Sequence, residues 1–222
     1  MKYKIILTGV TGMVGEGVLH ECLQHPSIEQ VLIINRNPSG ISNPKIKEII
    51  HTDFNNISPI AGKLAGYDAC LFCLGVSAVG MTEEDYTRLT YTLTLHVAKT
   101  MVQQNPGMTF CYISGAGTDS TEKGRMMWAR VKGKTENDLL KLPFKQVYLF
   151  RPGYMNPTKG MKNTLKYYKY ISWMYPALRM FFPKYVSTLS ELGRAMINAV
   201  IFGYPKPVLE VKDIVALANK AS

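Results

Sequence analysis

A glycine turn near the amino terminus constrains this chain most. In TGVTGMVGEGV, three glycines spaced three apart follow the apolar run YKIILTG and precede a helical pattern. Such a turn brings backbone N–H groups and the positive end of a helix dipole together, which favours a pyrophosphate. We therefore predict a dinucleotide site here, although the spacing differs from the common GxGxxG. Its predicted residues in the turn are Gly9, Thr11, Gly12, Met13, Val14 and Gly15.

The rest of the chain alternates short β-branched runs with helical stripes. The candidate strands are YKIILTG, QVLIINR, KEIIHT, DACLFCLG, MTFCYISG and KQVYLFRP. Apolar residues recur at helical spacing in two stripes, Val14, Val18, Cys22 and Leu23, then Tyr86, Leu89, Leu93, Val97 and Met101. Strands that alternate with helices predict an α/β fold, a doubly wound parallel sheet covered on both faces. Caps are predicted at Thr82, with Asp85, and at Thr188, with Glu191.

Composition limits the remaining possibilities. The 222 residues, 46% hydrophobic and 19% charged, suit a single globular domain over residues 1–222. The amino terminus breaks into glycines before any long apolar stretch, and no run reaches the length of a membrane-spanning helix, so a cytoplasmic protein is expected. The net charge of +10 suits an anionic partner, but no zinc-finger or RNA-binding signature accompanies the basic clusters. Nucleic acid is not an expected partner.

Neither a metal site nor a redox site is predicted. Four cysteines are too few for a disulfide framework, and His96 on the second stripe has no cluster of ligands beside it. Cys70 and Cys73 form a CxxC inside an apolar run, where positions three apart on a strand point to opposite faces. Core packing is therefore favoured for them over redox chemistry.

The ends of later strands indicate the type of dinucleotide. The second strand ends in IINRN, so Asn35 and Arg36 stand where an NAD-preferring domain usually has an acidic residue. A guanidinium can bind a 2′-phosphate, which favours NADP(H) over NAD(H), whereas a merely solvated arginine is the alternative. Asp53 and Phe54 could receive the adenine. The residues predicted where the cofactor crosses the fourth strand are Cys73, Leu74 and Gly75.

These segments together resemble a known family. TGVTGMVG, Asp53-Phe54, CLG, YISG, WARVKGKTE and FRPG are similar to motifs of extended or atypical short-chain dehydrogenases/reductases. The resemblance covers nearly the whole chain and is greatest to the branch of Tat-interacting-protein-like oxidoreductases and nucleoside-diphosphate-sugar epimerases. It implies an NAD(P)-binding Rossmann fold with a short helical substrate lobe at the carboxyl end.

The resemblance also implies catalytic residues. Members of the family carry a Tyr-xxx-Lys pair on one helix face, and Lys132 matches its lysine, while Trp128 stands at the tyrosine position. An indole N–H donates a hydrogen bond but is not an acid or base near neutral pH. Trp128 then either lines the nicotinamide site or only packs. Ser114 lies near the substrate-polarising serine of the family.

Another group must move the proton if the protein is an enzyme. Tyr154 follows the FRPG turn, and Tyr112 lies on the same strand face as Ser114. A water ordered by the cofactor is a third candidate. The predicted catalytic residues are Lys132, Ser114 and Tyr154.

A basic aromatic segment occupies the last third of the chain. Residues 159–187 mix lysines with tyrosine, tryptophan and phenylalanine, and prolines divide them into short helices. We expect residues 155–187 and the helices that follow to form a small substrate lobe or lid. A homodimer or partner contact is the next reading, and contact with a membrane surface is not expected.

The sequence supports two functions. The first is an NADP(H)-dependent oxidoreductase or epimerase-like enzyme that acts on a small carbonyl or hydroxyl compound. The second is a non-catalytic NADP(H)-binding regulatory protein, which the tryptophan at position 128 favours. Both need Lys132 and the glycine turn.

Overall fold

The computed structural model describes residues 1–158, 160–163 and 172–220. The described residues contain nine strands: β1 Tyr3–Thr8, β2 Ile28–Asn35, β3 Ile46–Ile50, β4 Ala69–Phe72, β5 Thr109–Ile113, β6 Gln146–Arg151, β7 Tyr154–Asn156, β8 Val186–Thr188 and β9 Val208–Glu210. Seven of them form one parallel sheet in the order β3-β2-β1-β4-β5-β6-β9, and β7 pairs with β8 separately. The predicted doubly wound α/β fold is confirmed, and the six candidate strands are β1 to β6.

Helices cover both faces of the sheet. Their bounds are α1 Met13–Gln24, α2 Glu83–Thr87, α3 Leu93–Gln104, α4 Met127–Leu139, α5 Tyr175–Phe181, α6 Leu189–Phe202 and α7 Val211–Ala218. Two short 3-10 helices span Ser58–Leu64 and Ser172–Met174, and a π-helical turn at Arg88–Thr92 joins α2 to α3. The predicted caps are confirmed, because the Thr82 hydroxyl accepts from the Asp85 N–H and Thr188 with Glu191 forms a capping box.

The strands divide the core into two layers. Alternate residues of β1 point to opposite faces, so Ile5 packs in the layer covered by α1, α6 and α7, and Ile6 in the layer covered by α3 and α4. Cys70 lies in the same layer as Ile6, whereas Cys73 packs against the layer of Ile5, and both are free thiols. Burial raises the pKa of both thiols. This placement is the core packing that the strand pattern predicted.

The carboxyl-terminal part is less enclosed. None of the residues of α5 is buried, and the helix is fastened by Arg179, which donates to the Val186 carbonyl at 2.6 Å and pairs with Glu191 at 2.7 Å. Lys159 and residues 164–171, which include two lysines and three tyrosines of the basic aromatic segment, lie outside the described residues. The substrate lobe over residues 155–187 therefore stays a prediction.

Candidate functional site

The three glycines of the turn have different surroundings. Gly9 has φ +76°, and a Cβ there would lie 2.6 Å from the Cys73 carbonyl oxygen. A Cβ at Gly15 would lie 2.1 Å from the Gly9 carbonyl oxygen. Gly12 has φ −100°, and the nearest described atom to a Cβ placed there would be the Gly9 carbonyl oxygen at 3.4 Å. The backbone itself therefore requires glycine at Gly9 and Gly15, whereas a side chain at Gly12 would meet no close contact among the described residues.

A cavity of about 330 Å³ opens beside this turn, at the carboxyl ends of β1, β4, β5 and β6. It is lined by Gly12, Met13, Val14, Cys73, Leu74, Gly75, Val76, Ile113, Ser114, Gly115, Lys132, Pro152 and Met155. The predicted residues Gly9, Thr11 and Gly15 do not line it. Met155 was not named as a site residue, although its neighbour Tyr154 was, because the sequence does not show which side chain of this segment faces the cavity.

A second cavity of about 180 Å³ adjoins the first. It is lined by Arg36, Thr52, Asp53, Phe54, Asn55, Leu74, Gly75, Val76, Leu89 and Leu93. Leu74, Gly75 and Val76 line both cavities, which therefore form adjoining compartments of one cleft. Leu89 and Leu93 were predicted as part of a core stripe, and their role as cavity walls was missed. Helical spacing marks the apolar face of a helix but not the space beyond that face.

A carboxylate that was not predicted from the sequence lies beside the end of β2. The buried Asn35 amide donates to Glu48 Oε1 at 2.9 Å, and the Ser39 backbone N–H donates to the same oxygen at 2.9 Å. Glu48 belongs to the neighbouring strand β3, so only strand pairing brings it here. Arg36 is exposed and lines the second cavity. Arg36 thus lines the cleft, while Glu48 is held at Asn35, one residue before it.

Lys132 is held at the wall of the first cavity. The helix that carries it lies close to the preceding loop, because Gly133 has no Cβ and the Asp119 carbonyl oxygen occupies that space. The Lys132 ammonium donates to the Ser114 carbonyl oxygen. Burial lowers the pKa of Lys132 to about 8, although the Glu136 carboxylate one helical turn further on acts to raise it. The amine can therefore exchange a proton near neutral pH.

A buried ion pair supports this wall from behind. Glu136 is 1% exposed and accepts from Arg151 Nε at 3.0 Å, and Arg151 also contacts Glu210 at 3.3 Å. The Ser114 hydroxyl donates to the same Glu136 carboxylate. The serine hydroxyl that the resemblance implied for the substrate is thus engaged inside the protein. Glu136 was missed, although its spacing of four residues from Lys132 could have indicated it.

The three aromatic candidates lie in different environments. Trp128 is half-buried and does not line the first cavity, and its ring edge lies 3.5 Å from where a Gly117 Cβ would stand. Tyr112 is 2% exposed, and burial raises its pKa far above the ordinary value, so it does not exchange protons with a ligand. Tyr154 is half-buried in β7, where its N–H donates to the Tyr185 carbonyl oxygen at 2.8 Å.

The cleft fits a dinucleotide. Within the described residues, no side chain caps α1 at Gly12, so the first N–H groups of the helix face the space beside that residue. Two adjoining compartments extend from there toward β2 on one side and Lys132 on the other. In open α/β sheets this crevice beyond the strand carboxyl ends is where ligands bind. The fold and cleft are those of a nucleotide-binding Rossmann protein.

A family model described as "NAD dependent epimerase/dehydratase family" matches residues 5–124, more than half of the chain. The chain belongs to this family. The predicted resemblance to short-chain dehydrogenases/reductases of the NAD(P)-binding Rossmann superfamily is confirmed. The match ends before α4, so it does not include Lys132.

Curated relatives are distant and longer. The chain is 28% identical over 169 residues to "Leucinostatins biosynthesis cluster protein T" of Purpureocillium lilacinum. This alignment covers 73% of this chain and 62% of that protein. It is 25% identical over 155 residues to "Protein FMP52, mitochondrial" of Meyerozyma guilliermondii, which covers 68% and 64% respectively. The chain thus spans less than two thirds of the length of these relatives.

Solved structures share the fold. Uronate dehydrogenase from Agrobacterium tumefaciens superposes with a TM-score of 0.67 at 14% identity, over 94% of this chain and 76% of that one. The Bordetella bronchiseptica enzyme WbmG, determined in complex with NAD, gives a TM-score of 0.67 at 11% identity, over 98% and 77%. At such identities the likeness concerns the fold alone.

The predicted cytoplasmic localisation is contradicted by these relatives. FMP52 proteins of several fungi, among them Meyerozyma guilliermondii and Candida albicans, are named mitochondrial. The prediction relied on the amino-terminal segment and on the lack of a long apolar run, and neither feature identifies a compartment. Within the part of the chain that the structure describes, no helix is long and apolar enough to cross a membrane.

Proposed function

We propose that this protein is an NADP(H)-dependent oxidoreductase or epimerase-like enzyme in which Lys132 carries the catalytic proton. The observation behind the proposal is the environment of Lys132. Among the described residues that line the first cavity, only Lys132 and Cys73 have ionisable side chains. Burial raises the pKa of Cys73 and lowers the pKa of Lys132 to about 8, so the lysine is the group suited to proton exchange.

The chemistry divides between cofactor and protein. A bound nicotinamide supplies or accepts a hydride at a substrate carbon. In the reduction of a carbonyl, the ammonium of Lys132 gives its proton to the substrate oxygen, which becomes a hydroxyl, and water later reprotonates the amine. In the reverse reaction the neutral amine accepts the hydroxyl proton. The hydrogen bond to the Ser114 carbonyl holds the amine at the cavity wall.

A small substrate suits this cavity. Its volume of about 330 Å³ is at the lower end of the range for small-molecule sites. Apart from Lys132, Cys73, Ser114 and backbone groups, its walls are apolar residues such as Leu74, Ile113 and Met155. Such walls favour a compact aldehyde, ketone or quinone, or the matching alcohol, over a heavily charged compound.

The preference for NADP(H) over NAD(H) relies on Arg36. Its guanidinium is exposed at the second cavity, where a 2′-phosphate would find a charge-assisted partner. Glu48 would repel the same phosphate, but its Oε1 already accepts hydrogen bonds from Asn35 and Ser39. The exposed Arg36 guanidinium therefore supports a preference for NADP(H) over NAD(H).

A second function is supported by the surroundings of Ser114. Its hydroxyl is engaged by Glu136, and the position of the usual tyrosine holds Trp128. In a non-catalytic regulatory protein, the dinucleotide would bind without turnover and stabilise one conformation. The two functions differ in whether any proton leaves Lys132.

The discriminating experiment measures NADPH oxidation with small aldehydes, ketones and quinones across pH. Reduction should be fastest where Lys132 is protonated and should fall as pH rises through about 8, because the neutral amine no longer donates. Lys132→Arg keeps the charge but does not release a proton, so the rate should fall by about 10² to 10⁴. NADPH affinity, measured by calorimetry, should change little in that variant.

Lys134→Arg is the matched control, because Lys134 is exposed on the same helix and lies over the Tyr91 ring. Its rate should equal that of the wild type. A Lys132→Arg protein as fast as the wild type would show that another group carries the proton. Tight NADPH binding without turnover of any compound in the panel would favour the regulatory function.

A further inference from the structure

Helix α5 and its flanks expose a row of large apolar side chains. Trp173 is 77% exposed, Met180 69% and Phe181 68%, values typical of solvated lysines rather than of core residues. We call this surface the apolar ridge and define it by six exposed side chains: Trp173, Met174, Met180, Phe181, Phe182 and Tyr185. None of these residues lines either cavity of the cleft. The ridge is therefore a surface separate from the candidate active site.

The ridge lies on the outside of the protein while its helix is anchored. Met180 and Phe181 are at the end of α5, Trp173 is in the 3-10 helix Ser172–Met174 that precedes it, and all three side chains are exposed. Arg179 contacts Glu191 and the Val186 carbonyl oxygen on another side, which fixes the helix to α6 and β8. A lid closed over a substrate would bury such side chains, yet α5 has no buried residue. The ridge faces outward while α5 is anchored.

The segment that carries the ridge is positively charged in sequence. Residues 159–184 contain six lysine and arginine residues and no acidic residue, and no Asp or Glu occurs between Asp138 and Glu191. Lys162, which precedes the ridge in the sequence, and Lys184, which lies between Phe182 and Tyr185, are both exposed. Aromatic and aliphatic side chains flanked by lysines suit the boundary of an anionic bilayer, where rings enter the headgroup layer and ammonium groups contact lipid phosphates.

We propose that the apolar ridge binds the surface of an anionic lipid bilayer without crossing it. The lack of acidic residues favours this partner over a second copy of the chain, because two copies would bring like charges together. The sequence alone did not favour a membrane contact. The exposure of the apolar side chains of α5, which line neither cavity, favours such a contact.

The test is co-sedimentation of the full chain with vesicles of two compositions. One contains phosphatidylglycerol and phosphatidylcholine in equal parts, and the other phosphatidylcholine alone. The wild type should sediment with the anionic vesicles at about 0.1 M salt, and raising the salt to about 0.5 M should weaken binding. Phe181→Ser combined with Phe182→Ser should weaken binding at least tenfold. Both positions are exposed, so the variant should fold normally, which circular dichroism checks.

The matched control is Met126→Ser combined with Leu140→Ser. These exposed apolar residues flank α4, in the other layer of the molecule, and their loss should leave vesicle binding unchanged. Sedimentation velocity without lipid completes the test, and a monomer is expected with and without the ridge substitutions. The proposal is overturned if anionic vesicles do not bind at low salt or if both double variants weaken binding equally. A dimer that the ridge substitutions dissociate would overturn it in favour of self-association.

Discussion

Phe110 and Phe181 show how differently two regions of this chain, β5 and α5, use the same side chain. Phe110 lies on β5 and is fully buried, with its ring centroid 5.8 Å from that of Phe72 and 5.0 Å from that of Phe144. Phe181 ends α5 and is 68% exposed. The first ring stabilises the sheet that carries the cleft. The second adds little to folding and remains available to a partner.

The difference arises from the layers around each segment. Strands in the middle of a parallel sheet are covered by helices on both faces, so every side chain of β5 meets a neighbour. Helix α5 lies outside those layers, and among the described residues it contacts β8, the 3-10 turn before it and, through Arg179, Glu191 of α6. An apolar residue in a sequence therefore indicates either core or contact surface, and the number of covering layers decides between them.

The largest effect expected from this comparison concerns stability. Phe110→Ala should lower the free energy of unfolding by about 3 to 5 kcal/mol, because a buried ring leaves a cavity. Phe181→Ala should change it by no more than about 0.5 kcal/mol, as at other exposed sites. Urea denaturation of both variants measures the two values. A cost of several kcal/mol at Phe181 would contradict the exposed placement of the ridge.

The central sheet around Phe110 was also the part of the fold that the sequence predicted well. Continuous apolar runs such as DACLFCLG have few alternatives to a central parallel strand, and the glycine turn follows from its position after β1. Three-residue strands such as β9 leave no pattern that local periodicity detects. Glu48 and Glu136 act through partners 13 and 22 positions away, Asn35 and Ser114, which only tertiary structure reveals. The exposure of α5 arises because no other helix or sheet covers it among the described residues, and no local sequence pattern indicates that.

The second prediction separates folding from binding inside the glycine turn. Gly12→Val should weaken NADPH binding by about 3 kcal/mol or more, at least a hundredfold, because the branched side chain fills the space meant for the pyrophosphate. Its extended backbone accepts valine, so the protein should stay folded. Gly15→Val should instead destabilise the fold by about 1 to 3 kcal/mol, because its Cβ would meet the Gly9 carbonyl oxygen.

Calorimetry with NADPH and thermal unfolding of both variants make the comparison. Full cofactor affinity in a folded Gly12→Val protein would mean that the dinucleotide lies elsewhere. An unfolded Gly12→Val protein would show that the open space beside this residue has a structural role.

The third prediction compares an exposed cation of the cleft with one of the ridge. Arg36→Ala should reduce the preference for NADPH over NADH by about 1.5 to 3 kcal/mol, since a charge-assisted hydrogen bond to the 2′-phosphate is lost. Lys184→Ala removes an exposed charge at the edge of the ridge and should leave both affinities unchanged. Calorimetric titration of each protein with both cofactors gives the values. Equal affinities of the wild type for NADPH and NADH would refute the assignment of Arg36.

The smallest effect is expected at Trp128, which the sequence resemblance places at the tyrosine position of the family. A tyrosine there would stand one helical turn before Lys132, and the neighbouring ammonium would favour its phenolate. A well-placed acid or base contributes about 10² to 10⁴ in rate, but Trp128 does not line the cavity, and its ring edge lies near Gly117. If Lys132 already carries the proton, Trp128→Tyr should change the rate of NADPH oxidation by less than about tenfold.

The control is Trp173→Tyr, in which the same exchange is made on the apolar ridge and should leave turnover unchanged. Assays of both variants with the same aldehydes, ketones and quinones, across pH, separate three outcomes at Trp128. A gain of a hundredfold or more would show that the position is a lost tyrosine and that Lys132 does not suffice. A loss of similar size would give the tryptophan a part in catalysis, because a ring that only packs beside Gly117 tolerates replacement by a smaller aromatic side chain. A rate within tenfold of the wild type, with the pH dependence still centred near 8, would leave the proton with Lys132.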